Sequence, residues 1–145
     1  VSKDDFYSEA LRELSWDNNL YGLPLTVDAR ALFYNKTLLD EAGVAPPTTW
    51  DELAAAAEKL TKRDASGKLV QSGMSFQDVG LFNMWLQQAG GQMVAEDGNS
   101  TAFNSPEGLE VLNFWNQMVN ERRVYDVGFE SGLGQGQDPF VTGQV

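Results

Sequence analysis

The sequence predicts an α/β fold, with helices alternating with short strands, and three stretches carry that prediction. Leu25 to Tyr34 is an apolar segment with a polar pair set into it. Drawn out as a strand, it puts Asp28, Arg30, Leu32 and Tyr34 on one side, with charge at one end. Thr49-Trp50-Asp51-Glu52 opens a helix, Thr49 accepting from the amide three residues on while Glu52 reaches back; Leu53, Ala54, Ala57 and Leu60 then form the single apolar stripe of a surface helix on a sheet. Near the other end, Asn104 or Ser105 caps a helix with Pro106 in its first turn and Leu109, Leu112, Trp115 and Val119 along its buried face.

The remaining elements follow in chain order. Ser2 can cap a short amphipathic helix that has Asp4 and Asp5 in its first turn and Phe6, Ala10 and Leu14 at helical spacing. Residues 15–19 break that pattern, and Gly22 and Pro24 punctuate the approach to the strand. A short helical turn over Lys36 to Ala42 stops at Gly43, and Pro46 and Pro47 forbid its continuation. Past the helix from Trp50, Asp64-Ala65-Ser66-Gly67 makes a polar turn, and Leu69-Val70 and Gly73 to Phe76 read as short strands. Leu81 to Ala89 is a helix with Phe82, Trp85, Leu86 and Ala89 on one stripe, ended by Gly90-Gly91. Asp97-Gly98 signals a hairpin turn between Gln92 to Val94 and Thr101 to Phe103. After Arg123 a glycine-rich loop runs to Gly136, and Asp138 caps a short helix starting at Pro139.

Composition removes several function classes. With 21 acidic against 10 basic residues, the 145-residue chain carries a formal charge of −11, which disfavours nucleic acid, DNA included, and anionic membrane surfaces as partners. It has no histidine and no cysteine, so disulfides, thiolate or imidazole nucleophile pairs and the common zinc sites are excluded. No apolar run approaches the roughly twenty residues of a membrane span. Asp64 to Gly67 lacks the alternating oxygen ligands and closing glutamate of a calcium loop. Gly132 to Gly136 has no following lysine and fits neither nucleotide fingerprint.

Five pieces come in succession between Gly22 and Leu53: Gly22-Leu23-Pro24, Leu32-Phe33-Tyr34-Asn35-Lys36, Leu38-Leu39-Asp40-Glu41-Ala42-Gly43, Pro46-Pro47 and Thr49-Trp50-Asp51-Glu52-Leu53. This order resembles the extracellular solute-binding proteins of ABC importers, in particular the sugar- and oligosaccharide-binding, maltose-binding-protein-like group. The resemblance implies a periplasmic-binding-protein-like class II lobe, incomplete, with helices packed on a mixed sheet. Residues 1–27 would be the end of a first lobe and the approach to the hinge, and residues 28–145 most of the second, so that the chain resembles an interior piece of a two-lobed protein. The implied function is capture of an extracellular carbohydrate in a cleft between the lobes and delivery to the permease subunits of an ABC transporter. It implies a monomer without a cofactor, on the extracellular side of the cytoplasmic membrane, either in the periplasm or lipid-anchored at the cell surface.

Four residues are the ligand-binding candidates. The resemblance aligns Asp28 with an acidic, cleft-facing position on the hinge-side strand; the competing reading makes it a partner of Arg30. Gln77 and Asp78 fall between a strand and a helix, where open α/β sheets collect ligand groups and where the family also uses them. Phe82 can present its ring to the cleft or serve as ordinary packing, while Trp50, Trp85 and Trp115 read as core. Because the chain is rich in acids and has no other catalytic set, the alternative function is a carboxylate-dependent glycoside hydrolase.

Overall fold

Ser2 sets the first turn of the chain. In the computed structural model, which describes residues 2–76, 79–130 and 138–145, Ser2 Oγ accepts from the Asp4 amide at 3.2 Å and the Asp5 carboxylate accepts from the Ser2 amide at 3.1 Å. This capping box closes a single 3-10 turn over Lys3–Asp5 and not the start of a longer helix, because Phe6 is extended (φ −122°, ψ 153°). Helix α1 is therefore Ser8–Glu13, shorter than the expected helix. Strands β1 (Ser15–Trp16) and β2 (Asn19–Leu20) form an antiparallel hairpin. The two turn residues, Asp17 (φ 47°) and Asn18 (φ 60°), both adopt the left-handed conformation that a two-residue hairpin turn requires. The hairpin lies where the sequence showed only a break in pattern.

Beyond Leu20 the first compact unit, Val1–Phe33, has no regular secondary structure. The expected strand at Leu25 to Tyr34 is thus corrected: its residues are exposed, Leu25 by 98%, and none of them is assigned to a strand. Apolar alternation specifies which side chains share a face, but a strand exists only when another segment accepts and donates its backbone hydrogen bonds.

The second unit, Tyr34–Val145, begins as expected. Helix α2 (Lys36–Ala42) is capped by Asn35, whose side chain accepts from the Leu38 amide, and it ends at Gly43 with φ 64°, as the left-handed cap predicts. Thr49 Oγ1 then accepts from the Glu52 amide at 3.2 Å to start α3 (Trp50–Leu60). Glu52 reaches back one residue further than a standard capping box, taking both the amide and the hydroxyl of Thr48 at 2.7 Å. Ala54, Ala56 and Ala57 are the buried face of α3.

Strands β3 (Lys62–Arg63) and β4 (Leu69–Gln71) pair antiparallel around the polar turn at Asp64. Asp64 Oδ1 accepts from the amides of Ser66 and Lys68 and from the Ser66 hydroxyl, so this carboxylate is committed to its own turn. The second expected strand, Gly73 to Phe76, is absent. The amides that lead into it go elsewhere, Ser72 to the Gln144 carbonyl at 2.8 Å and Gly73 to the Val124 carbonyl at 3.2 Å. Gly73 lies against α3 so closely that a Cβ there would overlap the Ala57 carbonyl group.

A 3-10 turn (Val79–Leu81) leads into α4 (Phe82–Gln88), which is closed by Gly90 with φ 87°. The expected hairpin at Asp97-Gly98 shrinks to one bridge, Val94 to Thr101. Helix α5 (Pro106–Asn116) starts at Ser105, whose side chain accepts from the Gly108 amide, and it runs into a π turn over Gln117–Glu121. Its buried face needs correction. Gly108, Val111 and Met118 are buried, whereas Leu109 and Leu112 are 58% and 52% exposed. The packing face is therefore rotated by about one residue from the expected stripe. Gly108 explains the shift, since it allows α5 to meet the Phe103 carbonyl at a distance no side chain would permit. The expected helix at Pro139 is a set of turns, with the Phe140 amide on Asp138 Oδ1 and Gly143 at φ 72°. The glycine-rich loop at Gly132 to Gly136 lies outside the described residues.

The core of this unit joins Ala54 and Ala57 of α3 to Met118, Val124 and Tyr125, with Met74, Phe76, Phe114, Val119 and Phe129 packed around them. Burying each of the larger apolar side chains stabilises by about 1.5–3 kcal/mol. The result is an α/β arrangement in which helices pack with small antiparallel sheets.

Candidate functional site

The second unit gathers seven aromatic rings from five segments of the chain. Trp50 sits at the first turn of α3, Phe76 follows β4, Phe82 and Trp85 are one turn apart on α4, Phe114 and Trp115 close α5, and Tyr125 follows the π turn. Trp50 meets Trp85 and Phe114 with ring centroids 5.0 Å apart in both pairs, and Trp85 meets Phe114 at 5.4 Å. Phe76 stands edge-on to Trp115 at 6.3 Å and to Tyr125 at 6.0 Å. Phe82 stands edge-on to Trp115 at 6.1 Å. Such pairs add to the apolar area they bury and fix ring orientation.

Polar groups around the rings differ in how well they are met. Trp50 Nε1 donates to Gln88 Oε1 at 2.9 Å. Trp115 Nε1 and Glu130 Oε1, in contrast, are buried without a hydrogen-bond partner among the described residues. Burial, helped by the nearby Glu130 carboxylate, raises the pKa of Tyr125 above its ordinary value. Further along, Arg63 grips Asp126 with two hydrogen bonds of 2.6 and 2.9 Å and also donates to the carbonyls of Gly67 and Arg123. Arg63 thereby holds the Asp126 carboxyl below its usual range. The Arg63 clamp ties the β3–β4 turn to the segment after α5, a scaffold role.

Of the sequence-derived candidates, Asp28 is exposed in the irregular segment of the first unit. Gln77 and Asp78 lie outside the described residues. Phe82 is half-buried in the first turn of α4, and its ring contact is Trp115. Trp85 is core, at 3% exposed. Trp115, read as core from its helical stripe, packs edge-on against Phe76, Phe82 and Trp85.

A separate open groove of about 560 Å³ runs between the start of α3 and α5, lined by Thr49, Asp51, Leu109, Glu110, Asn113 and Gln117 among others. Phe82 does not line it. Among the described residues, no group of acidic side chains is arranged to hold a metal ion, and no helix is long and apolar enough to cross a membrane.

Known proteins resemble the chain over nearly its whole length. The family described as bacterial extracellular solute-binding protein matches residues 2–145. An arabinooligosaccharide-binding protein of Halalkalibacterium halodurans is 30% identical over 126 residues, 86% of this chain and 27% of that protein. An ABC substrate-binding protein from Listeria monocytogenes, solved in complex with cycloalternan, superposes over 99% of this chain and 37% of its own, with a TM-score of 0.72 and 29% identity. A Thermotoga lettingae ABC transporter solute-binding protein bound with α-D-tagatose covers 83% of this chain and 32% of its own, with a TM-score of 0.64 and 34% identity. The chain thus spans about a quarter of the length of the curated relatives it matches. From the succession of motifs between Gly22 and Leu53, the helices packed with small sheets, and a family match that leaves out only Val1, it follows that the chain belongs to the bacterial extracellular solute-binding proteins.

Proposed function

We propose that the chain is part of the substrate-binding component of an ABC importer, which captures an extracellular sugar or oligosaccharide between two lobes and passes it to the membrane permease. The observation that carries this reading is the likeness, over 99% of the chain, to an ABC substrate-binding protein in complex with cycloalternan. The chemistry agrees. Carbohydrate recognition takes aromatic faces for the apolar side of the ring and carboxylates or amides for the hydroxyls, and the candidates Asp28, Gln77, Asp78 and Phe82 are of these residue types.

In this reading residues 1–27 finish the first lobe and residues 28–145 build most of the second. Asp28, Gln77, Asp78 and Phe82 contribute to the cleft, Asp28 accepting from sugar hydroxyls. The receptor works as a monomer on the outer side of the cytoplasmic membrane, in the periplasm or held by a lipid, and it binds without turning its ligand over. Incubating the full-length protein with a panel of oligosaccharides, followed by titration and by product analysis of the same samples, tests the proposal. Saturable binding with the sugar recovered intact is the expected result. Accumulating hydrolysis products would favour the glycoside hydrolase.

A further inference from the structure

The turn at Asp97-Gly98 has no part in the binding function, yet it carries a motif of its own. The chain contains two Asn-x-Thr sequences with a residue other than proline at x, Asn35-Lys36-Thr37 and Asn99-Ser100-Thr101. This is the pattern in which an asparagine amide accepts an N-linked glycan. The two differ in their surroundings. Asn35 is half-buried and caps α2, its side-chain oxygen accepting from the Leu38 amide at 3.2 Å, while Lys36 and Thr37 already belong to the helix. An enzyme that reached Asn35 would have to open that turn. Residues 96–101, in contrast, are all exposed. They form a tip pinned at its base by the Val94–Thr101 bridge and by two backbone hydrogen bonds, from the Ala95 amide to the Ser100 carbonyl at 2.9 Å and from the Ala102 amide to the Met93 carbonyl at 3.0 Å. Gly98, at φ 69°, turns the tip back on itself. Asn99 Nδ2 donates to the Asp97 carbonyl at 3.0 Å, and Asp97 Oδ1 accepts from the Asn99 amide at 2.9 Å, which holds a carboxylate against the backbone of the asparagine.

We propose that Asn99 is an acceptor site for an N-linked oligosaccharide, transferred by a bacterial oligosaccharyltransferase from a polyprenyl diphosphate donor outside the cytoplasmic membrane. In the transfer, Asn99 Nδ2 bonds to the anomeric carbon of the donor sugar and gives up one proton. The bond from that carbon to the diphosphate oxygen breaks, and polyprenyl diphosphate leaves with the electron pair, so nothing is oxidised or reduced. The Thr101 hydroxyl, two residues on, is the group such enzymes read together with the asparagine. Bacterial transferases also read an acidic residue two positions ahead, the place that Asp97 fills. Location agrees as well: the family is extracellular, and on an exposed tip a bulky, solvated glycan displaces no packed side chain. The assignment does not depend on which ligand the protein binds.

The test uses the folded full-length protein, incubated with a bacterial oligosaccharyltransferase and a polyprenyl diphosphate oligosaccharide, then digested and weighed by mass spectrometry. The peptide carrying Asn99 is expected to gain the mass of one oligosaccharide and the peptide carrying Asn35 to gain none. Asn99→Gln and Thr101→Val are expected to lose the modification, Asp97→Asn to lower its yield and Thr101→Ser to retain it. Melting curves taken beside each reaction show that the loss belongs to the acceptor and not to unfolding; the wild-type comparison of Asn99 with Asn35 stands even where a variant fails to fold. If Asn99 in the folded protein stays unmodified, or takes the oligosaccharide only after denaturation, the assignment is overturned while the binding function is untouched.

Discussion

Thr49 and Asp28 stand at opposite ends of what single residues disclosed. Thr49 was readable because a cap is local chemistry: a side chain three residues from an amide in a fixed turn, independent of anything distant. Thr49→Ala is expected to cost about 1 kcal/mol in chemical denaturation and to leave ligand affinity unchanged. A loss of affinity at constant stability would move Thr49 from scaffold to site. Glu52 was also readable, though its carboxylate takes the Thr48 amide and hydroxyl, which hold its pKa below the ordinary value. Asp28 is different, because a carboxylate on an exposed segment acquires a role only from what faces it. If it accepts from sugar hydroxyls, Asp28→Asn weakens binding by about 1.5–3 kcal/mol with little change in the unliganded melting temperature. Calorimetry giving unchanged affinity and a lowered melting point would make it a structural partner instead.

Elements with punctuation at both ends were legible, and those defined by partners were not. Helices α2 and α3 came through because Asn35, Gly43 and Thr49 mark their ends by backbone chemistry alone. The face of α5 did not, because Gly108 draws the helix against the Phe103 carbonyl and turns Leu109 and Leu112 outward. Gly73 presents the same logic at α3. Gly73→Ala is expected to destabilise by about 1–3 kcal/mol, since the new methyl would overlap the Ala57 carbonyl and neither backbone can give way freely; a neutral effect in urea would mean that α3 is not held there. The Arg63–Asp126 clamp across β3 and the segment after α5 has a pH signature. The Asp126 pKa is depressed in the folded state, so its contribution is present above the ordinary carboxylate range and is lost as pH falls through the lower folded value. Because the Asp126 side chain is 45% exposed, screening limits the effect, and Asp126→Asn is expected to lose about 1 kcal/mol or less at pH 7. That difference should vanish in melts run well below pH 4. A difference that persists in acid would assign the loss to packing.

At the scale of the whole molecule, the family was legible because five motifs occur in order within a short span, whereas the strand expected at Leu25 to Tyr34 is not formed, because apolar alternation does not supply the backbone hydrogen-bond partner that a strand requires. The same dependence governs binding. A cleft between two lobes surrounds its ligand, so one wall alone forfeits roughly half the contacts and the exclusion of water that strengthens the rest. For a full receptor binding at about 1 μM, near −8 kcal/mol, losing half of that leaves a dissociation constant of about 1 mM or weaker. Isothermal titration of residues 1–145 produced alone, beside the full-length protein and with the same oligosaccharide, measures this directly. Saturable binding near micromolar is expected for the full-length protein and none below about 1 mM for residues 1–145; micromolar binding by residues 1–145 alone would contradict a two-lobed site, putting the entire site within this chain.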